Sequence, residues 1–327
     1  MAVRCSFILL SILFFTGHSF GQELQVNHAR VDSVIHFTQT TGANRALIMH
    51  NATILAEFED TSCDSVYMNT ASMVKSWTGL AVGLLVDRGY VENENREVCE
   101  FLPEWKSGCR HGVTIRHLLT MSSGLEKIRP ASASILAQDD MNAFALRQKN
   151  TSEPGSSFSY SNEGVQLLGL LIERASGMRA GDFFQKYLFE PLQMDSTSLY
   201  VDRSGNDIVY GGAKTTVEDA SRIGQLMLNE GIFRGERVIS RDWIKKSTTP
   251  SAAADNYGYL WWLSPTHQQT NMANYAAMGD FGQMTLVLPE KELVYVRQQS
   301  CNNSDHSKNL YWMGLEFIEM VGNIITH

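Results

Sequence analysis

Two short apolar runs, Ala46 to His50 and Thr53 to Phe58, are separated by Asn51-Ala52 and predict a β-hairpin. Val66 to Asn69 predicts a further short strand. At Ser72 the period changes. Val74, Trp77, Ala81, Leu84 and Leu85 recur at three and four, the spacing of one helix face, and the pattern stops at Arg88-Gly89. More helical segments are predicted at Ile115–Met121, Glu163–Ala175, Gly181–Leu188, Val217–Glu230 and Arg241–Ser247. Gln283–Leu288 and Glu292–Gln298 read as paired strands around Pro289-Glu290-Lys291, and a last helix is expected from Lys308 to Val321.

Strands at both ends of a chain usually meet in one sheet. The predicted fold is therefore α/β (α+β): an antiparallel sheet formed from both chain ends, flanked by helices, with a mainly helical insertion. Residues 22–75 and 255–327 are expected to form the sheet subdomain and residues 76–254 the helical one, with a cleft at the junction.

The first residues follow a different rule. Arg4 precedes an apolar run from Cys5 to Phe15, and Thr16 to Gly21 turns small and polar, with Ser19 and Gly21 suited to a cleavage site. A run of about 11 residues is too short to span a bilayer, which takes roughly 20. Residues 1–21 are read as an export signal, which predicts a secreted or periplasmic protein with no membrane span in the mature chain.

Composition narrows the partners. The 327 residues carry a net charge of −8, with 43% apolar and 19% charged residues. Such a chain is globular rather than disordered. Its acidic balance and lack of any Lys/Arg run exclude nucleic acid as an expected partner. Loss of the leader takes away Arg4 and Cys5 and leaves Cys63, Cys99, Cys109 and Cys301. Four cysteines in an exported chain allow three pairings. Cys99 and Cys109 flank a short loop containing Pro and Gly and are the favoured pair, and Cys63–Cys301 follows by elimination; four free thiols are the competing reading. No Cys-x-x-Cys and no closely spaced His pair supports a zinc site, and no cofactor is expected. The oligomeric state stays open.

The candidate chemistry begins at Ser72-Met73-Val74-Lys75, where a strand-like segment gives way to the amphipathic helix. At i and i+3 the two polar side chains share a helix face. A Ser hydroxyl is a poor nucleophile until a neighbour takes its proton, and Lys75 can do so only if burial or charge lowers its pKa from about 10.4. As a bare pattern this is weak, since a chain of this length holds roughly one by chance. Tyr160-Ser161-Asn162 follows Pro154-Gly155-Ser156 and precedes a helix, which places a proton-relaying hydroxyl and an orienting amide on a loop. A second copy, Tyr67-Met68-Asn69, lies in a predicted strand and reads as packing or capping. Tyr257, Trp261 and Trp262 are candidates for a pocket floor, with core packing as the competing reading. The segment between Arg129 and Asn150 is small and polar and reads as a lid or an exposed loop. No Gly-x-Ser-x-Gly elbow is present.

These motifs resemble the serine hydrolase superfamily of class C β-lactamases, D-alanyl-D-alanine peptidases and related esterases. Ala71-Ser72-Met73-Val74-Lys75-Ser76 resembles its nucleophile motif, and the segment Val113 to Gly124 (VTIRHLLTMSSG) is typical of it. Glu153-Pro154-Gly155 through Tyr160-Ser161-Asn162 resembles the second motif. Gly211-Gly212, Tyr257 to Trp262 (YGYLWW) and Gly279 to Gln283 (GDFGQ) are most similar to the 6-aminohexanoate-dimer hydrolase branch.

The resemblance implies Ser72, Lys75 and Tyr160 as catalytic residues, Asn162 as the residue that holds Lys75 and contacts substrate, and the backbone N–H groups of Ser72 and Asp280 as an oxyanion hole next to Gly279. One departure stands out. Where the family's third motif usually carries Lys or His followed by Thr and Gly, this chain has Ala277-Met278-Gly279, so the cation that grips a substrate carboxylate is missing. The expected substrate is a small amide or ester, the expected reaction its hydrolysis through an acyl-enzyme. A β-lactamase or D-alanyl-D-alanine carboxypeptidase and a non-catalytic binding protein on the same fold are the alternatives.

Overall fold

The computed structural model describes residues 25–63, 65–127, 134–263, 272–299 and 315–326. Helix α1 (His28–Thr40) opens the fold, with the Asn27 side chain accepting from the Arg30 N–H at 3.2 Å as its cap. The strands β1 (Arg45–His50) and β2 (Thr53–Glu59) form the predicted hairpin. Asn51 and Ala52 both take left-handed φ values, 47° and 62°, as a two-residue turn matched to strand twist requires. After the helical middle of the chain come β3 (Trp262–Leu263), β4 (Tyr275–Gly279), β5 (Gln283–Leu288) and β6 (Leu293–Gln298).

These strands make one antiparallel sheet in the order β2-β1-β6-β5-β4-β3, so the hairpin from the start of the chain docks on the last strand from its end. Both faces of the inner strands β1, β6 and β5 are buried, and alternation sorts their side chains between two cores. Ala46, Ile48, Leu286, Leu293 and Tyr295 face α1 and the terminal helix α5 (Leu315–Gly322). Leu47, Met49, Val287, Val294 and Val296 face the helical region, where they share a core with Ala220, Ile223 and Leu226 of the amphipathic helix Val217–Leu228. The result is three layers, helix on sheet on helix. Of the last helix expected from the sequence, residues 308–314 lie outside the described residues.

Helix α2 (Val74–Asp87) is apolar on every side and buried from Val74 to Leu85, which makes it the axis of the helical region. It carries one buried cation, Lys75. The helix Asn162–Ser176, α3, packs against it. Of the segment expected to be a lid or exposed loop, residues 134–150 are described: Leu136, Ala137, Asp139 and Asp140 are among its exposed residues, and buried ones anchor it. Ile135, Met141 and Ala145 are buried, a helix spans Met141–Leu146, and Gln166 of α3 donates to Asn142 Oδ1 at 2.7 Å. Cys99 and Cys109 form a disulfide with their Cα atoms 4.8 Å apart. Cys63 is also disulfide-bonded, while Cys301, the partner expected for it, lies outside the described residues. Among the described residues no helix is long and apolar enough to cross a membrane.

Candidate active site

The nucleophile candidate sits on a forced turn. Met68–Asn69 pairs with Lys214 and Thr215, Thr70 Oγ1 accepts from the Ala213 N–H at 2.9 Å, and Asn69 Oδ1 accepts from the Ala71 N–H at 2.8 Å. Ala71 is driven to φ 45°, a left-handed value that a residue with a Cβ adopts at a cost of about 1–2 kcal/mol. A 3₁₀ turn over Ala71–Met73 then feeds α2. The Tyr67-Met68-Asn69 copy of the second motif therefore shapes this turn, and Tyr67 lies under the Lys214 ammonium, 3.7 Å from ring centroid to Nζ.

One helical turn brings Lys75 Nζ to 2.9 Å from Ser72 Oγ. The Lys75 side chain is 2% exposed, and its amine also donates to the main-chain carbonyl of Tyr210. Desolvation lowers its pKa to about 7, against the opposing pull of the Asp280 and Glu163 carboxylates. At neutral pH a large share of this amine is thus uncharged. With one N–H spent on Tyr210 O, its lone pair is free to face the Ser72 hydroxyl.

Tyr160 arrives from the loop before α3. That loop is tied down by the Ser159 N–H donating to Met121 O at 2.7 Å, and Ser161 caps the helix by accepting from the Gly164 N–H at 3.0 Å. The typical segment Val113 to Gly124 thus acts as the shelf on which Tyr160 rests. The Tyr160 ring lies 4.9 Å from Lys75 Nζ and stacks on Trp262, with centroids 6.0 Å apart and 16° between planes. Desolvation by the surrounding protein pushes the Tyr160 hydroxyl up to about 12; a hydrogen bond with Ser72 opposes this and the Asp280 charge adds to it. Of the two groups, Lys75 is the one that takes a proton near pH 7, and Tyr160 is the one that keeps its own.

Strand β4 closes the site from the other side. A Cβ on Gly279 would collide with the Thr70 carbonyl oxygen and sit 3.0 Å from the backbone nitrogens of Ser72 and Met73. Glycine is required there because the strand lies against the nucleophile turn. This contact brings the main chain at Gly279-Asp280 beside the N–H groups at the start of α2. Gly279→Ala is expected to cost about 1–3 kcal/mol of stability through overpacking against the nucleophile turn. A thermal melt of the variant beside the wild type checks it.

The resulting cavity, about 420 Å³, is lined by Ser72, Tyr160, Asn162, Trp262, Met278, Gly279 and Asp280. The site residues expected from the sequence meet here with two exceptions. Tyr257 and Trp261 are 1% and 0% exposed and belong to the core, Tyr257 edge-on to Trp262 at 4.7 Å and Trp261 edge-on to Tyr275 at 5.7 Å. Trp262, the first residue of β3 and paired with Ala276, is the wall, and Trp261 lies just before the strand. Asn162 also departs from expectation. It lines the cavity, but Lys75 bonds Ser72 and Tyr210, and Asn162 Oδ1 is buried without a hydrogen-bond partner. Sequence reasoning missed the Tyr210 carbonyl, a main-chain group with no side-chain signature, and Glu163, buried beside Asn162 and acting on Lys75 by its charge. Among the described residues no group of three or more His, Cys, Asp or Glu is placed to hold a metal ion.

The chain is 23% identical over 313 residues to the 6-aminohexanoate-dimer hydrolase of Paenarthrobacter ureafaciens, an alignment covering 85% of this chain and 77% of that protein. Its fold resembles EstCE1, a hydrolase with promiscuous acyltransferase activity, at a TM-score of 0.72 and 14% identity over 91% of this chain and 97% of that one. It also resembles a penicillin-binding protein from Bacillus halodurans, at a TM-score of 0.66 and 19% identity over 85% and 98% of the two chains. Residues 64–313 match the family model described as Beta-lactamase. With its antiparallel sheet, its buried lysine one turn from a serine and this match over most of its length, the chain belongs to the beta-lactamase family of hydrolases.

Proposed function

We propose that the protein is a serine hydrolase that cleaves a small amide or ester through an acyl-enzyme on Ser72. The observation that carries this reading is the 2.9 Å approach of Ser72 Oγ to a buried amine whose pKa is about 7. Lys75 Nζ takes the hydroxyl proton as Ser72 Oγ attacks the substrate carbonyl carbon. The carbonyl oxygen becomes an oxyanion that accepts from the backbone N–H groups of Ser72 and Asp280. Collapse of the tetrahedral intermediate breaks the bond to the leaving nitrogen or oxygen. Tyr160 hands its proton to that atom and is reprotonated from Lys75. A water molecule then repeats the sequence on the acyl-enzyme, with Lys75 as base, and Ser72 Oγ recovers a proton as the acid departs.

The cavity wall indicates what enters. Ala277, at the position where the resemblance expects a cation, is buried, while Met278 and Trp262 give the cavity apolar walls and Asp280 adds a carboxyl group. Among the described residues that line the cavity none is a cation, which favours uncharged ester and amide chains over lactams and cell-wall peptides. The similarity to a 6-aminohexanoate-dimer hydrolase supports a linear amide, and that to EstCE1 supports an ester. Export is proposed as well, on the leader-like residues 1–21, and the Cys99–Cys109 disulfide supports an oxidising compartment.

A fluorophosphonate probe tests the nucleophile directly. One label per chain is expected, on the peptide carrying Ser72, with a labelling rate that rises with pH through about 7. A label on another residue, or none, overturns the reading.

A further inference from the structure

We propose that Arg297 is a positioning residue, which sets the Asp280 backbone N–H in the oxyanion hole by clamping the turn that follows it. The proposal rests on the Ser72 acyl-enzyme reading. Arg297 lies in β6, opposite Met284 of β5 and Ala46 of β1, on the face that packs against α1 and α5. Its side chain is fully buried, at 0% exposure, in an otherwise apolar layer. The titratable group that faces it among the described residues is the Tyr295 hydroxyl, not a carboxylate. A buried guanidinium without an anion is costly, and a well-packed apolar residue would serve a sheet better. What it does instead is hold main-chain carbonyls.

Nη1 donates to Phe281 O at 3.2 Å and to Gly282 O at 2.9 Å, and Nη2 donates to Thr41 O at 2.8 Å, past the end of α1. Phe281 and Gly282 are consecutive left-handed residues, with φ of 64° and 77°. Phe281 is also 38% exposed. A Cβ on Gly282 would collide with Arg297 Nη1, which shows how closely the turn is seated on the guanidinium. The turn begins at Asp280, directly after the glycine that lies against the Ser72 nitrogen. Arg297 therefore braces the strained turn against α1 from beneath, and the Asp280 N–H is held at the edge of the cavity as a consequence.

The test compares a p-nitrophenyl ester with its thiono counterpart, in which C=S replaces C=O. Sulfur is a poor hydrogen-bond acceptor, so turnover of the thiono ester depends less on the oxyanion donors. In Arg297→Met, kcat for the oxo ester is expected to fall about ten- to a hundredfold with KM within about threefold, while the thiono rate falls far less, so that the oxo-to-thiono ratio collapses. Arg297→Lys, which keeps one donor, should give an intermediate ratio and carries the test if the methionine variant does not fold. Equal losses on both esters, or an unchanged ratio in a folded variant, overturn the proposal, because a purely structural role scales both rates together. Failure of the underlying reading is separate: it shows as turnover that survives Ser72→Ala.

Discussion

Ser72→Ala is expected to lower kcat for an activated ester by about 10⁴- to 10⁶-fold, the range seen when a catalytic serine hydroxyl is removed. The size follows from the chemistry, since without Oγ no acyl-enzyme forms and the remaining donors can only polarise a carbonyl toward water. Little else changes. Ser72 is partly exposed, and its hydroxyl contacts the Lys75 amine, which keeps its bond to Tyr210 O. The melting temperature should therefore stay within a few degrees. Turnover of p-nitrophenyl butyrate, followed beside a thermal melt, decides the matter. A residual rate above about one per cent of wild type in a folded protein would remove Ser72 from the mechanism.

The second large effect belongs to Lys75. Lys75→Met keeps the length and apolar stem of the side chain and removes the amine, and kcat/KM is expected to fall about 10³- to 10⁴-fold, near the top of the range for a lost general base. The pH profile makes the assignment specific. Burial holds the amine's pKa at about 7, so wild-type kcat/KM should drop about tenfold per unit below that value, where the amine is protonated and cannot accept, and level off above it. The methionine variant should lose this limb. It should also gain stability, most of all below pH 7: there the folded wild type must bury an ammonium that the unfolded chain keeps in water. An acid limb near 7 that persists in Lys75→Met would point to another base.

The parts of this site that the sequence declared are those whose geometry is local. Ser72 and Lys75 are one helical turn apart, so the apolar period of α2 was enough to place them on one face. Tyr160 stands next to its own helix cap. The β1–β2 hairpin is likewise written in two runs and a turn. What was not legible depends on long-range register. Helix α1 escaped notice because only Val31, Val34 and Thr38 are buried on it, a stripe too thin to set a period among polar neighbours. The choice between Trp261 and Trp262 is made by the pairing of Trp262 with Ala276, which no local pattern encodes. Arg297 gives no signal within the strand expected over Glu292–Gln298, because its contacts come from the turn at Phe281, brought beneath it by the fold. Asn162 was assigned by resemblance to hold Lys75, and the task falls to the carbonyl of Tyr210.

The bare approach of Gly279 to the nucleophile turn joins two distant parts of the chain. Ser72 and Lys75 come early, and Gly279 and Asp280 lie more than 200 residues later. Under the proposed mechanism neither part holds a complete site, and it is the closing of one sheet from both ends of the chain that brings the halves together.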